Sequence, residues 1–301
     1  MADDIPSRVS PLRDPRKIYP SPPFDRQPQD KPGLDQSMQP RPDHGEDTYR
    51  GTGRMQGRKA LITGGDSGIG RAVAIAYARE GAHVAINYLP DEEPDVDDLC
   101  EVLARDGLDL VRIPGDIRDR NFCNTLVSQT VDRLGGLDTL INNAGWQVFQ
   151  ESILDISPEQ LSRTFETNIY AMFWITQAAI PHLLPGATII NTTSTQGSHP
   201  SSTLLDYVST KFAIIGFTQA LSQELIKKGV RVNAVAPGPF WTALQPSGGQ
   251  SQEKVMHFGE QTPYGRPGQP AEIAPVYVFL ATEDSSYVTG ETYGVTGGKP
   301  L

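Results

Sequence analysis

Cysteine is scarce in this sequence, which has only Cys100 and Cys123 among its 301 residues. Two cysteines cannot form the disulfide framework on which small secreted domains depend. They also fall short of a zinc cluster, and the five histidines show no metal-ligand spacing. We therefore expect buried or half-buried free cysteines, no metal site and a reducing compartment, the cytoplasm.

Long apolar runs and an excess of basic residues are also missing. No stretch approaches the roughly 20 apolar residues that a membrane-spanning helix needs. The first residues, MADDIPSRVS, lack the basic and apolar blocks of a secretory signal. Acidic residues outnumber basic ones by 36 to 26, and the formal net charge is -10. Because a negative field repels polyanions, we expect neither nucleic acid nor an anionic membrane as a partner.

Residues 1–54, here called the arm, differ in composition from the rest of the chain. Ten of the 25 prolines lie within residues 1–50, and proline is excluded from helix interiors and central strands. The arm is either a disordered tail or an extended segment laid over the folded domain or a neighbouring subunit. A purely solvating tail would not need the apolar side chains that recur along it. They are Ile18, Tyr19, Phe24, Leu34 and Met38.

From residue 55 onward, short apolar runs alternate with segments of helix length. This alternation predicts a single Rossmann-like α/β domain over residues 55–301, with a doubly wound parallel sheet of about seven strands and helices on both faces. The predicted strands are Lys59–Thr63, Ala82–Asn87, Leu108–Ile113, Thr139–Asn142, Thr188–Thr193, Arg231–Val235 and Thr292–Thr296. The predicted helices are residues 69–80, 95–105, 119–134, 158–183, 206–228 and 271–282.

The glycine-rich stretch TGGDSGIG, residues 63–70, stands between the first predicted strand and the first predicted helix. It is not a Walker loop, because Arg71 and Ala72 occupy the places of the required lysine and hydroxyl residue. It is not a nucleophile elbow, because Ile69 rather than glycine lies two places after Ser67. On this stretch alone, a plain turn and a pyrophosphate-binding turn at a helix N-terminus both remain open.

Polar groups recur where the predicted strands end. They are Asp116, the NNAG stretch at 142–145, Ser194, the pair Tyr207 and Lys211, and the PGPFWT stretch at 237–242. Open α/β sheets bind ligands at the carboxyl ends of their strands, so we expect these groups at one edge. Tyr207 and Lys211 are four residues apart on a predicted helix and share a face. Because a nearby ammonium group lowers the pKa of a phenol, the pair suits a tyrosine general acid/base, but on this spacing alone a solvated helix surface stays open as well.

Taken in order, four motifs resemble the short-chain dehydrogenase/reductase family. They are T-G-x-x-x-G-I-G at 63–70, N-N-A-G at 142–145, a serine thirteen residues before Y-x-x-x-K at 207–211, and P-G-x-x-x-T at 237–242. The resemblance covers about residues 57–298. The arm, with TGGDSGIG and INYLPDEE, further resembles a bacterial subgroup of glucose/ribitol-dehydrogenase-like oxidoreductases.

This resemblance implies an NAD(P)(H)-dependent oxidoreductase that interconverts an alcohol (a secondary alcohol, sugar or polyol) and a carbonyl by hydride transfer. Tyr207 would exchange a proton with the substrate oxygen, Ser194 would hydrogen-bond that oxygen, and Lys211 would bind the nicotinamide ribose. Asn168 would hold a water molecule that relays protons, or would be a helix polar group satisfied locally. Two alternative functions stay open, a 3-oxoacyl-thioester reductase and a non-catalytic dinucleotide-binding sensor or scaffold.

The resemblance also implies a cofactor-binding set along the strand ends. The glycine loop would form the pyrophosphate turn, Asp116 and Ile117 would border the adenine, and Thr242 would contact the carboxamide. The set is Gly64, Asp66, Ser67, Gly68, Ile69, Gly70, Asn87, Tyr88, Asp116, Ile117, Asn143, Ala144, Gly145, Tyr207, Lys211, Pro237, Gly238 and Thr242.

The cofactor is predicted to be NAD(H) or NADP(H), with a slight preference for NAD(H). Family members that prefer NAD end the second strand with an acid, whereas NADP binders supply a basic residue there or in the glycine loop. This sequence has Asn87 and Tyr88 at the strand end, Asp66 and Ser67 in the loop, and LPDEEPD afterwards. A 2′-phosphate would therefore lack an arginine partner and would face acids.

Residues 240–268, here called the lid segment, follow the sixth predicted strand, where the family places its mobile substrate lid. Aromatic residues such as Trp241 and Phe258 are expected either to border a substrate or simply to cover the end of the sheet. The expected partners are a small-molecule alcohol or carbonyl and further copies of the chain, since the family most often forms homotetramers.

Overall fold

A single seven-stranded sheet organises the computed structural model, which describes residues 12–301. All neighbouring strands are parallel, and their spatial order is β3-β2-β1-β4-β5-β6-β7. This confirms the predicted fold class. The strands are β1 Lys59–Thr63, β2 His83–Tyr88, β3 Val111–Pro114, β4 Thr139–Asn142, β5 Thr188–Thr192, β6 Arg231–Pro237 and β7 Thr292–Val295.

Helices cover both faces of the sheet. One face packs against α1, α2 and α8, and the other against α3, α5 and α6. Because both faces are covered, the central strands read as nearly continuous apolar runs instead of alternating ones. The helices are α1 Gly68–Arg79, α2 Glu93–Ala104, α3 Arg120–Leu134, α4 Pro158–Phe165, α5 Ala171–Ala179, α6 Leu205–Leu225, α7 Gln252–Met256 and α8 Pro270–Ala281.

The strand order places a switch point between β1 and β4. Leu61 of β1 pairs with Ala85 of β2 on one side and with Leu140 of β4 on the other. The chain winds outward in opposite directions from these two strands, so the loops that follow them diverge and leave a crevice at their carboxyl ends. None of the helices between residues 12 and 301 combines the length and the apolar character that crossing a membrane requires.

One predicted helix, residues 158–183, is interrupted. Helix α4 ends at Phe165, a π-helical turn follows at Glu166–Tyr170, α5 continues the path, and a 3₁₀ turn at Ile180–His182 closes it. The hydrophobic pattern predicts that this segment is helical. It does not reveal that one turn inside the segment is a wider, π-helical turn. Turns of this kind are frequent at functional sites.

The third strand begins three residues later than predicted, at Val111 instead of Leu108. The Leu108 amide donates to Leu103 O at 3.0 Å, and the Gly107 amide donates to Ala104 O at 3.0 Å. Gly107 has φ +70°, as the cap of a helix C-terminus requires. Leu108 therefore belongs to the cap of α2, although its apolar character suits a strand equally well.

The described part of the arm, residues 12–54, lies along the domain of its own chain. Phe24 stacks on Trp241 with ring centroids 4.2 Å apart, and Met38 is fully buried in the same cluster. Leu34 is half-buried, whereas Ile18 is exposed. The predicted span of the arm also includes residues 1–11, which lie outside the described residues.

Candidate active site

The crevice at the carboxyl edge of the sheet contains a cavity of about 500 Å³, a volume typical of ligand sites. It brings together nearly all the residues that the sequence predicts for catalysis and cofactor binding. Gly70 and Asn168 do not line it. Those that do are Gly64, Asp66, Ser67, Gly68, Ile69, Asn87, Tyr88, Asp116, Ile117, Asn143, Ala144, Gly145, Ser194, Tyr207, Lys211, Pro237, Gly238 and Thr242.

The glycine loop turns sharply between β1 and α1. Gly68 opens α1 with φ +50°, a conformation that a side chain disfavours. A Cβ atom at Gly70 would lie 1.8 Å from Gly64 O, so only glycine lets the first turn of α1 approach the end of β1. The first amides of a helix have no partners further back within it, and Gly68 and Ile69 of this turn line the cavity, as an anion-binding helix N-terminus requires.

Two acids border the cavity where β2 ends. Asp66 is buried and Glu92 is half-buried, and both line the cavity near Asn87 and Tyr88. Burial raises the pKa of both carboxyl groups well above their usual range, and the charge of Asp66 raises that of Glu92 further. Asn87 braces β3, because its Nδ2 donates to Ile113 O and to Gly115 O.

Asp116 lies at the cavity edge beyond β3 and is held by Arg118. Arg118 Nε donates to both carboxylate oxygens, at 3.1 and 2.9 Å, and Nη2 donates to Oδ2 at 2.5 Å. Burial acts to raise the pKa of Asp116, but the hydrogen bonds from Arg118 outweigh it and lower that pKa. The carboxylate is thus ionised and its orientation is fixed by a neighbour that sequence reasoning did not single out.

Two neighbouring asparagines after β4 have different roles, and only Asn143 ties the loop after β4 to the loop after β1. Asn143 Nδ2 donates to Gly64 O at 3.0 Å, which ties the NNAG stretch to the glycine loop. Asn142 donates to Thr176 Oγ1 and to Asn191 Oδ1, and therefore braces the central strands without facing the cavity.

Ser194, Tyr207 and Lys211 face the cavity from the end of β5 and the start of α6. The Lys211 Nζ lies 5.2 Å from the centroid of the Tyr207 ring and donates to Thr192 O at 2.9 Å. Ser194 Oγ accepts from the Gln196 amide at 3.1 Å, which caps the turn between the serine and α6. All three side chains are buried at the cavity wall.

Burial changes the pKa values of this group. It raises the pKa of Tyr207 to about 12, with the hydrogen bond from Ser194 acting in the opposite direction. It lowers the pKa of Lys211 to about 7. The sequence predicts a phenol shifted toward neutral pH by the lysine, and the structure differs because desolvation disfavours both charged forms.

Asn168 lies in the π-helical turn Glu166–Tyr170, behind the cavity wall. Its side chain bonds the backbone of Trp146, and its Nδ2 also donates to Thr210 Oγ1 at 3.0 Å. Its side chain is therefore bonded to protein groups that are distant in sequence, 22 and 42 residues away.

Several cavity-lining residues were not singled out from the sequence. Lys31 of the arm donates to Gln147 O at 2.6 Å and lies 4.1 Å from the Trp146 ring centroid. Arg163 of α4 lies over the same ring, at 3.8 Å. Gln245 and Gln250 enter from the lid segment. No motif marks any of these four. Trp241, by contrast, does not reach the cavity, because it packs on the arm.

Comparison with known proteins identifies relatives over most of the chain. A family model described as enoyl-(acyl carrier protein) reductase matches residues 64–299. The uncharacterized oxidoreductase YhxD of Bacillus subtilis is 54% identical over 96% of this chain and 98% of its own. The glucose and ribitol dehydrogenase of Daucus carota is 44% identical over 89% of this chain and 94% of its own. The chloroplastic NADPH-dependent aldehyde reductase 1 of Arabidopsis thaliana is 43% identical, over 89% and 95%.

Among solved structures, a short-chain dehydrogenase from Burkholderia cenocepacia in complex with NADP superimposes with a TM-score of 0.75. It shares 30% sequence identity and covers 81% of this chain and 98% of its own. The resemblance read from the sequence covers about residues 57–298. Most of the residues outside it precede residue 57 and belong to the arm.

Proposed function

The chain belongs to the short-chain dehydrogenase/reductase family and is an NAD(P)-dependent enzyme; from this premise we propose that it interconverts an alcohol and a carbonyl with Tyr207 as the general acid/base. The observation that carries the proposal is the convergence of Ser194, Tyr207 and Lys211 on the cavity that the glycine loop also borders. The reacting group and the cofactor would therefore share one enclosed space.

The residues at the cavity wall account for the proton chemistry. When bound, the nicotinamide ring gives or takes the hydride. During reduction, Tyr207 Oη gives its proton to the carbonyl oxygen, and the resulting phenolate regains a proton from solvent. Ser194 Oγ hydrogen-bonds the same oxygen and stabilises its developing negative charge. During oxidation, the phenolate takes the proton of the alcohol. Lys211 Nζ, which lines the same cavity, would bind the ribose hydroxyls of the cofactor.

The pyrophosphate would be held by the glycine turn. The amides at the start of α1 supply donors and the positive end of the helix dipole. Gly64 and Gly68 would let the backbone approach the phosphates closely, Ile69 would donate its amide, and Gly70 would keep the turn tight. Asp116 would accept a hydrogen bond from the adenine amino group, and Thr242 would contact the carboxamide.

The preference for NAD(H) predicted from the sequence has no support from the comparisons, because the Burkholderia structure holds NADP and the Arabidopsis relative is named for NADPH. That prediction assumed charged acids around the ribose. Burial raises the pKa of Asp66 and Glu92 well above their usual range, so neither carries a full negative charge at neutral pH. We propose that this site accepts NADP(H) as well as NAD(H).

The substrate end of the cavity contains polar atoms without partners. Within residues 12–301, Gln245 Oε1, Gln250 Oε1 and Trp146 Nε1 are buried and make no hydrogen bond. A ligand with several hydroxyl groups supplies donors for the two glutamine oxygens and an acceptor for the indole N–H, and each buried polar group left unmet costs about 1–3 kcal/mol. We propose a small sugar or polyol, or the aldehyde related to it, in line with the names of the Daucus and Arabidopsis relatives.

A substrate panel run with all four cofactor forms tests this function. Sugars, polyols, simple aldehydes and a 3-oxoacyl thioester are mixed with the enzyme, and the nicotinamide absorbance is followed. We expect turnover with a polyhydroxylated alcohol or aldehyde, and a loss of at least about a hundredfold in Tyr207→Phe. The matched control is Tyr287→Phe, since Tyr287 is fully exposed.

The panel also separates the rival functions. Turnover confined to the acyl thioester would make the protein an acyl-thioester reductase. Tight cofactor binding without turnover on any member would favour a dinucleotide sensor. Equal activity in Tyr207→Phe and in the wild type would contradict the assigned mechanism.

An exposed apolar face on the helices after β4 and β5 supports self-association. Tyr170, Phe173, Leu205 and Phe212 are each more than two-fifths exposed, and Phe173 stacks on Phe217 with centroids 4.5 Å apart. Patches of this kind mark protein interfaces. We propose a homotetramer, which light scattering of the purified protein would detect and a monomer mass would refute.

A further inference from the structure

A carboxylate of the arm reaches the pyrophosphate turn. Asp35 lies in a 3₁₀ turn, Asp35–Ser37, and is fully buried. Its Oδ2 accepts a hydrogen bond from the Gly68 amide at 2.6 Å. Gly68 is the first residue of α1, so an arm residue satisfies one of the free amides of the helix that would bind the cofactor phosphates.

The same carboxylate also reaches the lid segment. Asp35 Oδ1 accepts from the Ala243 amide at 3.2 Å. The arm backbone at Gly33 also packs closely against the lid segment. A Cβ atom at Gly33 would lie 2.8 Å from Ala243 O and 2.9 Å from Ser247 Cβ. One side chain therefore connects two walls of the cavity, the glycine turn and the lid segment.

The charge of Asp35 is balanced inside the protein. Its Oδ2 lies 2.7 Å from His44 Nε2, and both side chains are fully buried. Burial acts to raise the pKa of Asp35, but the His44 imidazolium outweighs it and lowers that pKa. His44 Nδ1 lies 3.0 Å from Glu46, which in turn pairs with Arg71 of α1. The carboxylate thus stays ionised, and therefore a strong acceptor, without adding an unbalanced negative charge beside the phosphate site.

We propose that Asp35 is a positioning residue for the cofactor: it holds the pyrophosphate turn and the base of the lid segment at a fixed separation before the cofactor binds. It takes up the Gly68 amide and leaves that of Ile69, which lines the cavity, for the phosphates. A site arranged in advance avoids the ordering cost at binding. This inference rests on the proposed function for the identity of the ligand, but its test requires no turnover.

Three variants test it: Asp35→Ala, Asp35→Asn and the matched control Asp43→Asn. Asp35→Asn keeps one acceptor in place of two. Asp43 is another arm carboxylate, and it accepts from Gly45, Thr48 and Tyr19 within the arm only. The Kd of NADPH is measured from the change in its fluorescence. Amide hydrogen exchange of the unliganded protein is followed over residues 63–71, residues 240–249 and the rest of the sheet.

We expect the Kd of NADPH to rise about tenfold or more in Asp35→Ala, because two buried amides lose their acceptor. The Kd of NADPH in Asp35→Asn should lie between the values for Asp35→Ala and the wild type. In Asp43→Asn the Kd should equal that of the wild type. Exchange should quicken at the glycine turn and the lid segment in Asp35→Ala, while the central strands keep their protection. With a substrate found by the panel, kcat at saturating cofactor should stay within about twofold, since the reacting groups are untouched.

Two outcomes would overturn the proposal. One is an unchanged Kd in Asp35→Asn together with a lower melting temperature, which would leave Asp35 a purely structural group. The other is faster exchange spread evenly over the whole domain. If Asp35→Ala does not fold, Asp35→Asn alone decides, since its side chain has the same size. A protein without turnover on any substrate would contradict the proposed function, yet would leave these binding and exchange measurements interpretable.

Discussion

Trp146 and Asn168 are joined by two hydrogen bonds. The Trp146 amide donates to Asn168 Oδ1 at 2.7 Å, and Asn168 Nδ2 donates to the Trp146 carbonyl at 2.9 Å. The loop after β4 is thereby fixed to the π-helical turn behind it. Trp146 follows Gly145 directly, so the asparagine determines where the end of the NNAG stretch stands in the cavity.

Replacing Asn168 should move that loop. In Asn168→Ala, the amide and the carbonyl of Trp146 both lose a partner, which costs about 1–3 kcal/mol for each buried group left unsatisfied. We expect a lower melting temperature and a kcat/KM reduced by about tenfold or more. Asn168→Asp keeps the acceptor for the Trp146 amide, so its melting temperature should lie between those of Asn168→Ala and the wild type. A normal kcat/KM in Asn168→Ala would show that the loop position does not matter.

The two directions of the reaction should respond differently to pH. Burial raises the pKa of Tyr207 to about 12, so the protonated form that reduction needs dominates at every pH below that value. Oxidation needs the phenolate, whose fraction rises tenfold for each pH unit below the pKa. We expect the logarithm of kcat/KM for alcohol oxidation to rise between pH 6 and 9, with no such rise for carbonyl reduction. A flat oxidation profile over this range would contradict the assignment.

Cofactor choice should also depend on pH. Burial raises the pKa of Asp66 and Glu92 above their usual range, and both gain charge as the pH rises. The added charge would repel a 2′-phosphate but not a ribose hydroxyl, so the Kd of NADPH should rise relative to that of NADH between pH 6 and 9. Asp66→Asn and Glu92→Gln should reduce this trend, and Asp91→Asn, at an exposed position outside the cavity, should not. Parallel trends for both cofactors in the wild type would refute this explanation.

Stability should fall as His44 loses its proton. Burial acts to lower the pKa of His44, but the carboxylates of Asp35 and Glu46 outweigh it and raise the pKa to about 9. An unfolded histidine has a pKa of about 6.5. The stabilisation is therefore complete below about pH 6.5 and is lost as the pH rises through about 9.

Melting temperatures from pH 6 to 9.5 test this dependence. The wild type should lose a few degrees over this range. His44→Gln should melt lower at pH 6 and change less with pH, and His83→Gln, at an exposed position, should follow the wild type. Other groups titrate in the same range, so the difference between His44→Gln and the wild type is the quantity that counts. If the melting temperature changes equally with pH in His44→Gln and in the wild type, His44 is not the source of the pH dependence.

Lys31 should affect the substrate and not the cofactor. Its ammonium group stands in the cavity wall between Gln147 O and the Trp146 ring, and burial, aided by Arg163, lowers its pKa to about 8. We expect Lys31→Met to raise the KM of the substrate by about threefold to tenfold and to leave the Kd of NADPH unchanged. The control is Lys17→Met, at an exposed arm position. An unchanged KM would show that Lys31 only attaches the arm to the domain and does not contribute to substrate binding.

The sheet could be predicted from the sequence because its physical signal is local. Apolar runs bounded by glycine and polar residues define strands, and Lys59–Thr63 and Thr139–Asn142 begin and end where predicted. Errors appear where a residue suits two structures. Leu108 is apolar enough for a strand but is bonded into the cap of α2, and the turn at Glu166–Tyr170 has the pattern of an ordinary helix.

The residues of the cavity could be anticipated because parallel strands all deliver their carboxyl ends to one edge. Contacts between residues that are far apart in the sequence could not be anticipated. Asp35 and Gly68, or Lys31 and Gln147, meet only because the arm follows one particular path over the domain. The pKa values of Tyr207 and Lys211 were missed for another reason. Their spacing is visible in the sequence, whereas the desolvation that sets both values depends on everything packed around them.

The packing of Trp241 gives the molecule an internal optical signal. The indole is fully buried, its Nε1 donates to Pro40 O at 2.8 Å, and its ring rests on Phe24. Both partners belong to the arm, whereas Trp146 and Trp174 are half-buried elsewhere. The emission of Trp241 therefore depends on its contact with the arm, and intrinsic fluorescence measures without a label whether that contact is intact.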